Sequence, residues 1–257
     1  DHSGKGLYPG NWPKTMQVLK AAHVTDVFVN VAGPDFAHYP SAILPRSKLF
    51  QQEGDQLAKC IAAARGTGIR VHAWILCFSA TRATPEKLND FAKKGWRLKS
   101  AKGQLTEYLS PAHPAVREYV LTAIGELQRY PIAGIHLDFV RWGDGTVKPA
   151  NAAQFVTQFV TAARQRVKSP KWLTTAVYGK YPQCVASVGQ DWERWLDLSL
   201  VNYVVPMDYT SSLTDLEELL KNQVTLNKIQ HYICIQYRNS VRRSFLLHIY
   251  RNHNDGT

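Results

Sequence analysis

The sequence predicts an α/β fold of the (β/α)8 TIM-barrel type, incomplete, with the first strand and the last one or two strands missing or atypical. Three observations lead there. Helical and strand-like segments alternate five times at roughly 35–45 residue spacing, the rhythm of a parallel sheet. The strands are short β-branched and aromatic runs that suit burial on both faces. Polar residues gather at the ends of several different strands, and no GxGxxG turn marks a doubly wound sheet.

The elements follow in order. Asn11–Ala22 has an asparagine cap and a proline in its first turn, which predicts a helix. Asp26–Ala32 (DVFVNVA), stopped by Gly33-Pro34, predicts the first visible strand. Asp55–Arg65 is Ala-rich and helical, glycines 66 and 68 break it, and Ile69–Phe78 is the next strand. A third unit runs from Pro114 through AVREYVLTAIGELQRY to the strand Ile135–Val140. The fourth is a helix over Ala150–Val167 and a strand over Trp172–Tyr178; the fifth is Asp191–Leu198 followed by Val201–Met207.

Composition removes several classes. With 45% hydrophobic and 20% charged residues in 257, the chain is neither disordered nor membranous. No apolar run reaches the ~18 residues of a membrane span, and DHSGKGLYPG has no basic-then-apolar leader. The 31 Lys+Arg against 20 Asp+Glu give a net charge of +11, but the basic residues are scattered and no RNA-binding signature is present, so nucleic acid is not an expected partner. The four cysteines show neither scaffold nor zinc-ligand spacing and are expected to be reduced.

In a parallel barrel the chemistry lies at the C-terminal ends of the strands. The first visible strand brings Asn30 there, with Asp35, His38 and Tyr39 in the following loop. The second brings His72 and Trp74, and the third His136 and Asp138, with Arg141 and Trp142 just beyond. Tyr178 ends the fourth, and Asp208 and Tyr209 end the fifth. Asp138 carries most weight, because a carboxylate in the apolar strand IHLDFV needs a partner, a raised pKa or a polar cavity. An ion pair with Arg141 is its structural alternative. Asp138 and Asp208 at one mouth would be the minimum for acid/base attack on a glycosidic bond, with the aromatic rings stacking on sugars. His72, His136, Asp138 and Asp208 could instead surround a metal, but their spacing matches no metal motif, so no metal and no cofactor are expected.

Five separated stretches, LYPGNWPKTM, AHYPSAILPRS, LSPAHPAVREYV, GIHLDFVRW and DWERW…VNYVVPMDYT, together resemble the glycosyl hydrolase-like family ten barrel domains, over roughly residues 7 to 212. That family is distinct from the xylanase family of the same number. The resemblance implies a glycosidase-like enzyme of bacterial, exported type, secreted or periplasmic. Its substrate would be an oligosaccharide or polysaccharide of the envelope or extracellular matrix. It makes Asp138 the leading catalytic carboxylate, flanked by His136 and Arg141, puts Asp208 and Tyr209 in the mouth, and puts His38 and Tyr39 in the substrate cleft.

The sequence departs from the family where Asn202 replaces a frequent acidic residue, in opening after the family's first strand, and beyond about Ile229. The organisation expected is therefore a barrel domain over 1–229 and an atypical basic segment over 230–257, in a monomer with no integral membrane segment. The alternatives are a non-catalytic carbohydrate-binding barrel and a metal-dependent hydrolase.

Overall fold

The computed structural model describes residues 3–8, 10–210, 212–225, 232–239 and 242–249, with 224–225 and the last two of these segments as backbone alone. The chain opens with α1 (Trp12–Ala21), where the Asn11 side chain accepts the Lys14 N–H at 3.0 Å, then enters β1 (Asp26–Gly33) and its short antiparallel return β2 (Phe36–Ala37). Two helices, α2 (Lys48–Glu53) and α3 (Gln56–Ala64), lead into β3 (Arg70–Leu76). An excursion of α4 (Pro85–Lys93) and the hairpin β4 (Arg97–Lys99) and β5 (Leu105–Leu109) precedes α5 (Pro114–Leu127) and β6 (Gly134–Asp138). Next come α6 (Ala152–Arg166), β7 (Trp172–Val177), α7 (Gln183–Val188), α8 (Trp192–Asp197) and β8 (Tyr203–Asp208). The described chain ends with α9 (Leu213–Thr225), β9 (Tyr232–Asn239) and β10 (Arg242–Ile249).

All five expected helix–strand units are present. They build one 8-stranded sheet in the order β10-β9-β8-β7-β6-β3-β1-β2, in which β1, β3, β6, β7, β8 and β9 run parallel. The result is a partial (β/α) barrel. At its far end β9 is followed by an antiparallel β10 instead of a helical crossover, so the alternation stops where the sequence pattern is also lost. The rest of the 230–257 segment lies outside the described residues.

Side-chain alternation sorts each strand into two faces. Val29, Val31, Val71, Ala73, Ile75, Ile135, Leu137, Leu173 and Val204 belong to the buried core, which the helices cover with Leu57, Val116, Ile124, Val156, Phe159 and Trp195. The opposite, inner face carries polar and aromatic groups in layers. The register pairs Phe28 with His72 and His72 with Gly134, and one layer up Asn30 with Trp74, Trp74 with His136, and His136 with Thr174. The next step pairs Leu76 with Asp138, at the C-terminal end of the strands.

The lower layer is a built polar cluster. Asp26, 4% exposed, accepts from Thr25 Oγ1 at 2.8 Å and Arg70 Nη2 at 2.6 Å, and its other oxygen lies 2.7 Å from His72 Nε2. The Arg70 guanidinium lies over the Trp172 ring at 4.5 Å. Burial raises the Asp26 pKa, but the hydrogen bonds from His72, Arg70 and Thr25 outweigh it and hold the group at about 2.

Candidate active site

Asp138 closes β6 on the inner face, above His136 and beside Trp74. Its carboxyl is 5% exposed and accepts the Phe139 N–H at 2.7 Å, with the Trp74 indole turned toward it. Burial raises its pKa above the ordinary carboxylate range against the opposing pull of the Phe139 N–H, the Arg141 charge and Trp74. Phe139 makes this geometry by adopting a positive φ of 48°, which turns the chain sharply after the strand and aims its own N–H at the preceding side chain.

His136 is held neutral below it. Its Nδ1 lies 2.8 Å from Thr174 Oγ1, its ring meets Trp74 edge-on, and burial pushes its pKa down to about 3. Arg141 does not close on Asp138 as an ion pair. Its Nη1 donates to Asp144 Oδ2 at 3.1 Å and to the Trp142 carbonyl at 3.2 Å, while Phe139 and Tyr178 face its guanidinium at 4.5 and 4.7 Å. The Tyr178 hydroxyl donates to the same Asp144 carboxylate at 3.0 and 3.1 Å. Trp74, His136, Asp138, Arg141 and Tyr178 therefore form one constellation, to which the structure adds Asp144. Its signal was available in GDGT, a second acid close behind Arg141.

Asp208 is placed differently from expectation. In β8 the buried Val204, Pro206 and Asp208 alternate with half-buried Val205 and Met207, and Tyr203, buried at the strand start, pairs through Thr174 with the face of His136, so Asp208 shares the helix-side face and not the face of Asp138. Both its oxygens accept from Gln223 Nε2 at 3.0 Å, and burial raises its pKa. The loop after β7 closes over it at Gly179, where a Cβ would sit 1.8 Å from Asp208 Oδ1. Gly179→Ala is expected to lower stability by about 2–3 kcal/mol by forcing this contact apart, measured by urea unfolding against wild type. Tyr209, 56% exposed, is left on the rim.

Five other candidates are held within the fold. Tyr39 is fully buried and donates to Glu126 Oε2 at 2.9 Å, which ties its loop to α5. His72 belongs to the Asp26 cluster, two layers below Asp138. Trp142 is 3% exposed and donates to the Ala152 carbonyl at the start of α6. His38 packs on Phe36 with Nδ1 2.7 Å from Ser47 Oγ, and burial lowers its pKa to about 4. Asn30 is fully buried and accepts from Arg82 Nη1 at 3.1 Å. The Arg82 backbone N–H reaches Asp35 Oδ2 at 2.8 Å, and burial raises Asp35 to about 6. Among the described residues no group of three or more His, Cys, Asp or Glu is placed to hold a metal ion, and His72, His136 and Asp138 do not form one. Cys60, Cys77 and Cys184 are buried free thiols. No described helix is long and apolar enough to cross a membrane.

A buried acid at the C-terminal ends of a parallel sheet's strands stands where barrel enzymes carry their chemistry. The glycosyl hydrolase-like 10 family model matches residues 11–144, and the chain belongs to that family. Among solved structures it is similar to trehalose-6-phosphate hydrolase of Bacillus licheniformis: 13% identity, TM-score 0.56, 88% of this chain and 52% of that one. It is also similar to a beta-galactosidase of Marinomonas ef1, at 12% identity and TM-score 0.54, over 79% of this chain and 39% of that one. The Bacillus cereus spore cortex-lytic enzyme SleL matches at 13% identity and TM-score 0.53, over 87% of this chain and 46% of that one. These likenesses concern the fold, and the chain spans about half or less of each of these proteins. No curated protein matches the sequence.

Proposed function

We propose that the chain carries a glycosidase site that cleaves an extracellular or envelope polysaccharide, with Asp138 as the general acid. The observation that supports this reading most is the Asp138 carboxyl: buried, biased toward its protonated form, and set at the C-terminal end of β6 among Trp74, His136, Arg141 and Tyr178. A protonated acid in that position can hand its proton to a glycosidic oxygen. Trp74, Tyr178 and the exposed Tyr209 supply rings for sugar faces, and Arg141 supplies fixed positive charge.

A second reading, a carbohydrate-binding barrel without turnover, draws on the sheet order, which ends in β10 and β2 instead of closing. One pair of measurements separates the two. Calorimetric titration of bacterial polysaccharides beside a reducing-end assay is expected to show binding together with product release. Binding without release would favour the second reading.

A further inference from the structure

We propose that Asp144 is the second carboxylate of this site, acting as the base that partners Asp138. The proposal rests on the glycosidase reading and deepens it. Asp208 is poorly placed for that role: it shares the helix-side face of β8, bound by Gln223 and roofed by Gly179. Asp144 has the opposite situation. Its side chain is 54% exposed on the loop after β6, where water and substrate can reach it, yet Arg141 Nη1 and the Tyr178 hydroxyl fix its orientation.

Arg141 links the two acids. It is 5% exposed, its guanidinium is faced by the Phe139 and Tyr178 rings, and its buried Nε–H has no hydrogen-bond partner. Its charge bears on Asp138 from a distance and on Asp144 by direct contact. One carboxyl is thus buried and the other solvent-facing and ion-paired. Opposed environments of this kind let two like groups divide acid and base roles.

In the step that follows, Asp138 gives its proton to the bridging oxygen as the bond from that oxygen to the anomeric carbon breaks. A water oxygen bonds to the anomeric carbon while one of its protons passes to Asp144. One water is consumed, two sugar hydroxyls result, and the proton on Asp144 returns through solvent to Asp138. Tyr178 is a positioning residue that holds Asp144 in place.

The test compares wild type with Asp144→Asn, Asp138→Asn and Asp208→Asn on paired p-nitrophenyl and 2,4-dinitrophenyl glycosides and on polysaccharides. It also follows the Asp138 carboxyl by carbon NMR through a pH titration. Asp144→Asn is expected to lower kcat about 10³-fold with both leaving groups, because water must be activated in either case. Asp138→Asn is expected to lower it mainly with p-nitrophenol, the poorer leaving group. A kcat within tenfold of wild type in Asp144→Asn, or a deeper loss in Asp208→Asn, overturns the proposal.

The titration needs no turnover. Around Asp138 stand Arg141, the Cys77 thiol, the Trp74 indole and the Phe139 N–H. Removing the Asp144 charge leaves Arg141 uncompensated, so the Asp138 midpoint should move down, and an unmoved midpoint overturns the shared guanidinium. If wild type releases nothing from any substrate while the midpoint moves, the glycosidase reading fails, and the base role with it. If wild type turns over but Asp144→Asn matches it, that reading stands and this proposal falls.

Discussion

Asp138→Asn is expected to lower kcat on a polysaccharide by about 10³-fold while leaving KM nearly unchanged. The size follows from the role, since a positioned general acid contributes roughly 10²–10⁴-fold. The amide preserves volume and can still accept the Phe139 N–H, so the loss reports the proton and not the packing. A pH profile supplies the sign. Burial, the leading influence, raises the Asp138 pKa above its ordinary 3.8, and the active form is the protonated one. Activity is therefore full below that raised pKa and falls as pH rises through it. In Asp138→Asn this alkaline limb of kcat/KM should vanish. A limb that persists at the same pH would assign the acid to another group, with Asp35, raised to about 6 by burial, the first to examine.

The largest stability effect is expected at the other end of the strands. Asp26→Ala should lower the unfolding free energy by about 3 kcal/mol, because it leaves the buried His72 without its partner and Arg70, 44% exposed, to turn to solvent. His72 is fully buried, away from bulk solvent. For a chain of this size the loss corresponds to a drop in Tm on the order of 10 °C. The pH dependence runs opposite to that of catalysis. Asp26 is depressed from 3.8 to about 2, so its contribution is complete above the unfolded value and is lost as pH falls toward 2. That window holds roughly 2 kcal/mol, and it should be missing from the acid unfolding curve of Asp26→Ala. Thermal scans at pH 7 and pH 3 of both proteins check both statements.

The β/α rhythm is legible because β1, β3, β6, β7 and β8 are short, largely apolar runs, each following a helical segment. The hairpin of β4 and β5 carries no such signal. Arg97–Lys99 is three residues long and Leu105–Leu109 is mostly half-buried or exposed, so neither shows the apolar run of a core strand. Asp138 stood out by its own incongruity, a charge in IHLDFV. Asp208 also ends a strand, yet it lies five residues beyond Tyr203, an odd step that reverses the face. Only the pairing of Tyr203 with Thr174, on the face of His136, shows which face is inner. Residue type alone would place Trp142, Tyr39 and His72 at the mouth, whereas their positions depend on partners elsewhere in the chain: Ala152, Glu126 and Asp26. A sequence does not display such pairings without the register.

Phe139 links backbone preference to chemistry. A bulky residue at φ 48° is uncommon, and the conformation costs on the order of 1–2 kcal/mol that glycine would not incur. A sequence chosen purely for thermal endurance would therefore discard phenylalanine here. It would then lose the ring against Arg141 that holds the guanidinium near both acids. Position 139 is thus a place where hardening the protein and keeping its site pull apart, and attempts to stabilise the chain should leave it untouched.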